Sequence, residues 1–372
     1  MSDIRFSPIK YAPYASDVKL GRGRRYTEYE DSSRTCFERD RDRIIHSAAF
    51  RRLEYKTQVF VYHEGDYYRT RLTHSLETAQ IARSICRVLN LNEDLGEALA
   101  LAHDLGHTPF GHAGEDALNK VMSPWGGFNH NCQTFRIVTE LEHRYADFNG
   151  LNLTWETLEG LVKHNGPLTS PIPINMLAIQ EYCDYHNLEV NSWPGPEAQV
   201  ASLADDIAYN NHDVDDGLRA GLFQIEDLSD IPLVGPVFNE VKDAHPKIDQ
   251  GRLIHEAVRR MISKVISDVI EESSIRLYKS GCKSVEEIRS LDKPVIGFSE
   301  EMKAHDIALK GFLHKRMYQH YKVNRMASKA RRVVTELFNL FISEPQCLPQ
   351  EWYSLCGKPN SEKTAKVVSD YI

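Results

Sequence analysis

Apolar residues recur at spacings of three and four along most of this chain, the period of a helix with one buried face. The set Leu72, Leu76, Ala79, Ala82 and Cys86 predicts a helix over Thr73–Leu89, with Thr73 as its cap, and Leu95, Ala98, Leu99 and Ala102 predict another over Glu93–Asp104, closed by Gly106. Further helices are expected at about His130–Tyr145, Thr154–His164, Ile174–Tyr185 and Pro196–Ala220. In RLIHEAVRRMISKVISDVIEE the stripe Ile254, Val258, Met261, Ile262, Val265 and Val269 reads as core, and KARRVVTELFNLFISE adds an amphipathic helix near the end. Strand signals are confined to KTQVFVYHE and DYYRTRL, which suit at most one short hairpin around Glu64-Gly65. The pattern predicts an all-α protein in three parts. An irregular N-terminal arm spans 1–70, a helical core spans 71–225, and a helical C-terminal region, 226–372, packs on that core. PLVGP and DAHPKIDQG are expected to interrupt the helices between 225 and 250.

Composition narrows the class. At 372 residues, 41% hydrophobic and 26% charged, the chain has the make-up of a folded globular protein, which argues against a disordered or fibrous one. No apolar run reaches the ~18 residues of a membrane span, and MSDIRFSPIKYAPYASD lacks the apolar stretch of a secretory leader, so a cytoplasmic protein with no membrane partner is expected. Seven cysteines without a CxxC pair fit a reducing compartment and exclude a thiolate zinc site. The net charge of −8 hides an asymmetry: residues 1–71 carry 15 Lys/Arg against 11 Asp/Glu, a local +4. An acidic chain that gathers arginines in one region suits a compact anion better than a polymer, although a groove for single-stranded nucleic acid stays open at this point.

Histidine is the unusual residue. Four of the 16, His103, His107, His112 and His130, fall within 28 positions, and imidazole is the commonest ligand for transition metals. In ALALAHDLGHTPFGHAGEDALN the adjacent His103 and Asp104 sit at a helix end, where both can converge on one ion. His74 in RLTHSLE and Asp205 in ASLADDIAYNNHDVDD supply a further imidazole and carboxylate, the latter on a helix rich in alanine that lets neighbours approach closely. Two nitrogens and two oxygens form a mixed site for manganese, iron, cobalt, nickel, zinc or magnesium, with positions left for water and substrate. Asp206 points ~100° away from Asp205 on a helix and is the poorer ligand.

The order H…HD…D, with Arg71 before His74, HDLGHTPFGHAGE and DDIAYNNHD in sequence, resembles the HD-domain metal-dependent phosphohydrolases. Within them the likeness narrows to the deoxynucleotide triphosphohydrolases, the dGTPase and dGTPase-like proteins, over roughly residues 20–345, through RRLEYKTQVF, LEGLVKHNGP and FLHKRMYQHYKV. The resemblance implies a divalent metal on His74, His103, Asp104 and Asp205, and hydrolysis of a dNTP to deoxynucleoside and intact triphosphate. It also implies a homo-oligomer, often a hexamer.

Hydrolysis at an α-phosphorus needs a polarised water, cations on phosphate oxygens and a group that moves protons. His112 and Glu115, three apart, suit a pair in which the carboxylate orients the imidazole, and the resemblance places them beside the reacting phosphate together with His130. Resemblance also assigns Arg71, His107 and Lys163 to phosphate, Lys310 as a weaker candidate, and Tyr318 to substrate. Where some relatives have tyrosine after the Lys163 position, this chain has His164. Asp205, Tyr209 and Asp213 follow one another four apart along one helix face. In the resembled family the tyrosine packs under the deoxyribose and crowds the 2′ position, while the aspartate and a glutamine matching Gln58 bond the 3′-hydroxyl. A phosphohydrolase or phosphodiesterase for another nucleotide, and a non-catalytic nucleotide sensor, are the competing readings.

Overall fold

Most helices of the fold begin on a residue whose side chain accepts a hydrogen bond from the first turn, which satisfies amides that otherwise lack a partner. Thr35 caps α1 (Cys36–Ile45) and Ser47 caps α2 (Ala48–Arg52). Thr70, not Thr73, caps α3 (Arg71–Val88), and Thr73 answers from inside by accepting from the Thr70 amide, so the helix starts two residues earlier than its apolar stripe suggests. Asn92 caps α4 (Glu93–Ala102), whereas α5 (Gly111–Met122) is entered from Phe110 at φ 66° without a side-chain cap. Asn129 opens α6 (His130–Arg136), which loosens into a wider π turn over Ile137–Leu141. Then come α7 (Trp155–Val162), α8 (Leu177–Cys183), α9 (Pro196–Arg219), α10 (Val234–Ala244), α11 (Gln250–Ser280), α12 (Val285–Arg289), α13 (Glu300–Leu313), α14 (Tyr321–Ser343), α15 (Gln350–Tyr353) and α16 (Glu362–Tyr371).

The computed structural model describes residues 10–29, 33–59 and 68–372, and among these it is an all-α helical bundle whose extended segments meet only in isolated bridges. The expected hairpin tip around Glu64-Gly65 lies outside the described residues; a lone antiparallel bridge joins Thr57 to Thr70 on either side of it. Two other expectations change. The N-terminal segment contributes α1 and α2, with Phe37, Ile44 and Phe50 buried, and the stretch expected to break the helices contains α10.

The main core lies where α3, α4 and α9 pack together. Ala98 and Ala102 face Ala198, Ala201, Ala204 and Ala208 within one buried cluster, and small side chains let these backbones come close. A Cβ on Gly160 of α7 would lie 2.6 Å from Leu99 Cδ2 and 2.9 Å from Ala198 Cβ, so this crossing has no room for a methyl group. A second cluster gathers α10, the first half of α11 and α13, and a third gathers α5, α14 and α16. The N-terminal segment is laced to the core by polar groups. Ser16 gives its amide and hydroxyl to buried Glu197 at 2.9 and 2.8 Å. Arg24 pairs with Asp40, whose other oxygen accepts from the Thr154 amide at 2.9 Å and the Thr157 hydroxyl at 2.7 Å.

Candidate active site

Three helices deliver the expected ligands to one place. His74 comes from the first turn of α3, His103 and Asp104 from the residues that leave α4, and Asp205 from the middle of α9. Ligand atoms of His74, His103 and Asp104 all lie within 4.8 Å of one another. Asp205 closes the group, its Oδ1 2.8 Å from His74 Nε2 and 3.5 Å from His103 Nε2.

The donor chemistry fits a divalent cation. His103 Nδ1 donates to the Ala100 carbonyl at 2.7 Å, which turns Nε2 toward the cluster, where that buried atom has no hydrogen-bond partner among the described residues. Burial opposes charging of His103, yet the facing carboxylates of Asp104 and Asp205 push its pKa up to about 9. Burial would raise both carboxylates, but Arg71 and the imidazoles around Asp104, and His103 foremost around Asp205, hold them well below the usual range. The cluster is thus a pair of ionised carboxylates that draws in positive charge. Arg71 donates to Asp104 Oδ2 at 2.7 Å and leaves Oδ1 toward His103 and His107, 3.5 and 3.4 Å away.

A second group adjoins the first. His107 follows Asp104 by one turn, and its ring stacks on His130 with centroids 4.0 Å apart. Glu115 on α5 binds both flanking imidazoles: Oε1 accepts from the His130 amide and Nδ1 at 2.9 and 2.8 Å, and Oε2 lies 3.3 Å from His112 Nδ1. Those contacts overcome burial and hold Glu115 well below the ordinary carboxylate range. The His112 side chain is 66% exposed, so a ligand can reach it, while burial and the charge of Arg71 keep His107 neutral. Gly106 makes this juxtaposition possible: a Cβ there would lie 2.1 Å from Thr134 N and 2.3 Å from the His130 carbonyl oxygen.

Along α9 the spacing of four places Tyr209 and Asp213 beyond Asp205. The Tyr209 ring sits 6.3 Å from that of His74 and 6.4 Å from that of Tyr318. Tyr318 donates to Asp213 Oδ2, whereas Asp213 Oδ1 and Gln58 Oε1 are buried without a partner among the described residues. Burial pushes the Asp213 carboxyl up to about 8. The Gln58 carbonyl and the Arg71 guanidinium both close on Gly111, so the RRLEYKTQ segment lies against the start of α5.

Two expected phosphate ligands are engaged with carboxylates. The Lys163 ammonium, at the end of α7, is fully buried and bonds Glu159 at 3.0 Å and Ser192 at 2.9 Å; Glu159 is itself gripped by Arg289. Lys310 pairs with Asp206 and Asp306 at 3.0 and 3.1 Å, two carboxylates that already match its charge. The site gains other residues. His164, one position on from Lys163, stacks on His103 at 5.2 Å and points Nε2 at Asp205 Oδ2, 3.4 Å away. His212 lies behind His74, and Glu77 and Arg69 lie behind His212. Burial lowers His212 to about 4, and contacts to His212 and Arg69 outweigh burial to bring Glu77 to about 2. Its position seven after Asp205 was the available signal for His212, because i+7 returns to the same helix face.

Residues 71–210 match the HD domain family and residues 296–372 match the phosphohydrolase-associated domain. The chain is 59% identical over 369 residues to the deoxyguanosinetriphosphate triphosphohydrolase-like protein of Parvibaculum lavamentivorans, covering 98% of this chain and 93% of that one. It is 56% identical over 367 residues to the protein of that name in Caulobacter vibrioides, with the same coverage of each. A third relative, deoxyguanosinetriphosphate triphosphohydrolase-like protein 1 of Mesorhizobium japonicum, is 49% identical over 380 residues, covering 100% of this chain and 93% of that protein.

Proposed function

The chain belongs to the HD-domain family of deoxyguanosinetriphosphate triphosphohydrolase-like proteins, and from that premise we propose that it hydrolyses deoxynucleoside triphosphates to deoxynucleoside and inorganic triphosphate. The observation that carries the reading is the adjacency of two unlike clusters joined through Asp104, one of metal-ligand type and one of His107, His112, Glu115 and His130. A divalent ion held by His74, His103, Asp104 and Asp205 would supply positive charge to phosphate oxygens and lower the pKa of water.

The side chains do the rest. Arg71, fixed against Asp104, offers its remaining N–H groups to the phosphates. Glu115 holds His112 and His130 with Nδ1 toward itself, so each presents Nε2 outward. From there His112 hands a proton to the 5′-oxygen as the bond from that oxygen to the α-phosphorus breaks, and water supplies the new oxygen on the triphosphate. At the sugar end, the oxygens of Asp213 and Gln58 that lack a partner among the described residues would take a hydroxyl, and Tyr209, beside His74, would crowd a 2′-hydroxyl. We also read the chain as a cytoplasmic homo-oligomer, to be sized by light scattering.

The test is to incubate the protein with each dNTP and Mn²⁺ or Mg²⁺ and separate the products by chromatography. Deoxynucleoside with triphosphate is expected. Diphosphate or orthophosphate as first product, or no turnover of any dNTP, overturns the proposal.

A further inference from the structure

His103 and His74 reach the same cluster, but their rings are fixed in different ways. His103 is held by a backbone carbonyl. Nδ1 of His74 instead lies 3.4 Å from Nδ1 of His212, with the rings edge to face at 5.5 Å. On its far side, His212 Nε2 is 2.9 Å from Glu77 Oε2. That same oxygen accepts from Arg69 Nε at 3.0 Å, and Arg69 NH1 bonds Asp215 and Asp216 at 3.0 and 2.8 Å. Both imidazoles are buried.

Proton counting then selects one arrangement. For His74 to offer a lone pair at Nε2, its proton must sit on Nδ1, and His212 Nδ1 must accept it. A His212 ring that accepts at Nδ1 carries its proton on Nε2 and donates it to the Glu77 carboxylate, 2.9 Å away. The opposite arrangement sets the lone pair of His212 Nε2 against the negative charge of Glu77, a repulsion in a buried place that offsets the pull of Asp205 Oδ1, 2.8 Å away, on a proton at His74 Nε2. We infer that Glu77 and His212 are positioning residues that bias the tautomer of His74 toward the one whose Nε2 lone pair is free for a metal ion, against the pull of Asp205. This rests on the metal-site reading and is independent of which nucleotide is hydrolysed. It goes beyond the ligand set, because Glu77 acts through a second histidine. Ligand carboxylate and imidazole groups are commonly backed by one partner, and loss of such a partner typically weakens metal affinity by ~10–100-fold.

Mn²⁺ affinity of the full-length protein, measured by titration calorimetry, is the first readout. The second is the ring ¹⁵N–¹H correlation of His74 in histidine-labelled protein, which reports the tautomer and which a merely structural role would not move. His212→Phe is expected to weaken Mn²⁺ binding by ~10–100-fold and to shift His74 away from the Nδ1-protonated form. Glu77→Gln keeps the shape and a hydrogen bond but loses the charge, and a smaller weakening in the same direction is expected. If His212→Phe does not fold, Glu77→Gln decides alone. Wild-type affinity and an unchanged His74 tautomer in the folded variants overturn the relay. Failure of the unmodified protein to bind Mn²⁺ at all would instead overturn the metal site on which it rests.

Discussion

Replacing Gly106 by alanine tests whether the two halves of the site are held together by backbone contact. The φ of Gly106 is not positive, so the chain conformation itself tolerates a side chain, and a change of glycine to alanine under such conditions usually stabilises by ~0.4–1 kcal/mol. The surroundings reverse the sign. The added Cβ would stand 2.1 Å from Thr134 N, 2.3 Å from His130 O and 2.7 Å from Gln133 C. Non-bonded contacts of carbon settle near ~3.5 Å, so the overlap is ~1.4 Å and falls on three backbone atoms that no rotamer change can move. The Gly106 amide also bonds Thr134 Oγ1 at 2.9 Å, and that hydroxyl donates to the His103 carbonyl at 3.1 Å, so the first turn of α6 cannot withdraw without breaking both. Overpacking of this kind costs ~1–3 kcal/mol or more. With an unfolding entropy of ~2.1 cal/mol/K per residue over 372 residues, ~3 kcal/mol lowers Tm by roughly 4 °C. Displacing His130 from His107 by ~1 Å should cost about 10²-fold in kcat. Mn²⁺ affinity should change little, because none of the four ligands lies on α6. Differential scanning calorimetry and product assays read the two effects. A Gly106→Ala protein that melts at or above the wild-type temperature with unchanged kcat would refute the reasoning.

Other outcomes follow from the same geometry. His103→Ala or Asp104→Ala should lose metal, measured by elemental analysis after dialysis, and turnover together; His112→Ala should keep metal and lose ~10²-fold or more in kcat, and a metal-free His112→Ala protein would make that residue structural. Tyr209→Ala should narrow the preference for dNTP over NTP by ~10-fold or more, measured as a ratio of kcat/KM values, and an unchanged ratio would sink the steric account. Burial holds the folded-state pKa of Asp213 up at about 8, above the 3.8 of a free carboxyl, so its contribution to stability is full below about 4 and is lost as pH rises toward 8. Asp213→Asn should therefore flatten the fall in Tm between pH 5 and pH 8, and an unaltered slope would show that another group sets it.

The convergence of His74, His103, Asp104 and Asp205 was legible from their order together with the likeness to the HD-domain family, and Asp205, Tyr209 and Asp213 share a face of α9 wherever that helix lies. Lys163 and His164 are consecutive residues at the end of α7 that turn opposite ways, one into Glu159 and the next toward Asp205. Spacing within a segment cannot tell which of two neighbours faces a distant helix. The helix α10 escaped notice because Gly235 and Pro236 look like breakers, yet both occupy its first turn, where proline gives up no internal hydrogen bond. The Cβ position of Gly235 is taken by the Ser229 carbonyl 2.0 Å away, so that glycine serves close approach rather than a turn. Gly106 was expected to end a helix and instead admits α6, a role that depends on a contact 28 residues downstream. Arg69 and Glu77 from one stretch of chain and His212 from another form a network, and only the place of His212 seven after Asp205 hints at it.

The last helix holds none of the site residues but touches the elements that do. Asp370 on α16 accepts from Arg136 and, at 3.1 Å, from Gln133, both on the helix of His130, while Ala365 and Val368 pack with Ala117 and Leu118 of the helix that bears His112 and Glu115. A genetic selection for inactive alleles would accordingly return lesions in the final stretch of the gene, far in sequence from any ligand. A tag or fusion joined directly after Ile372 would bear on the same two helices.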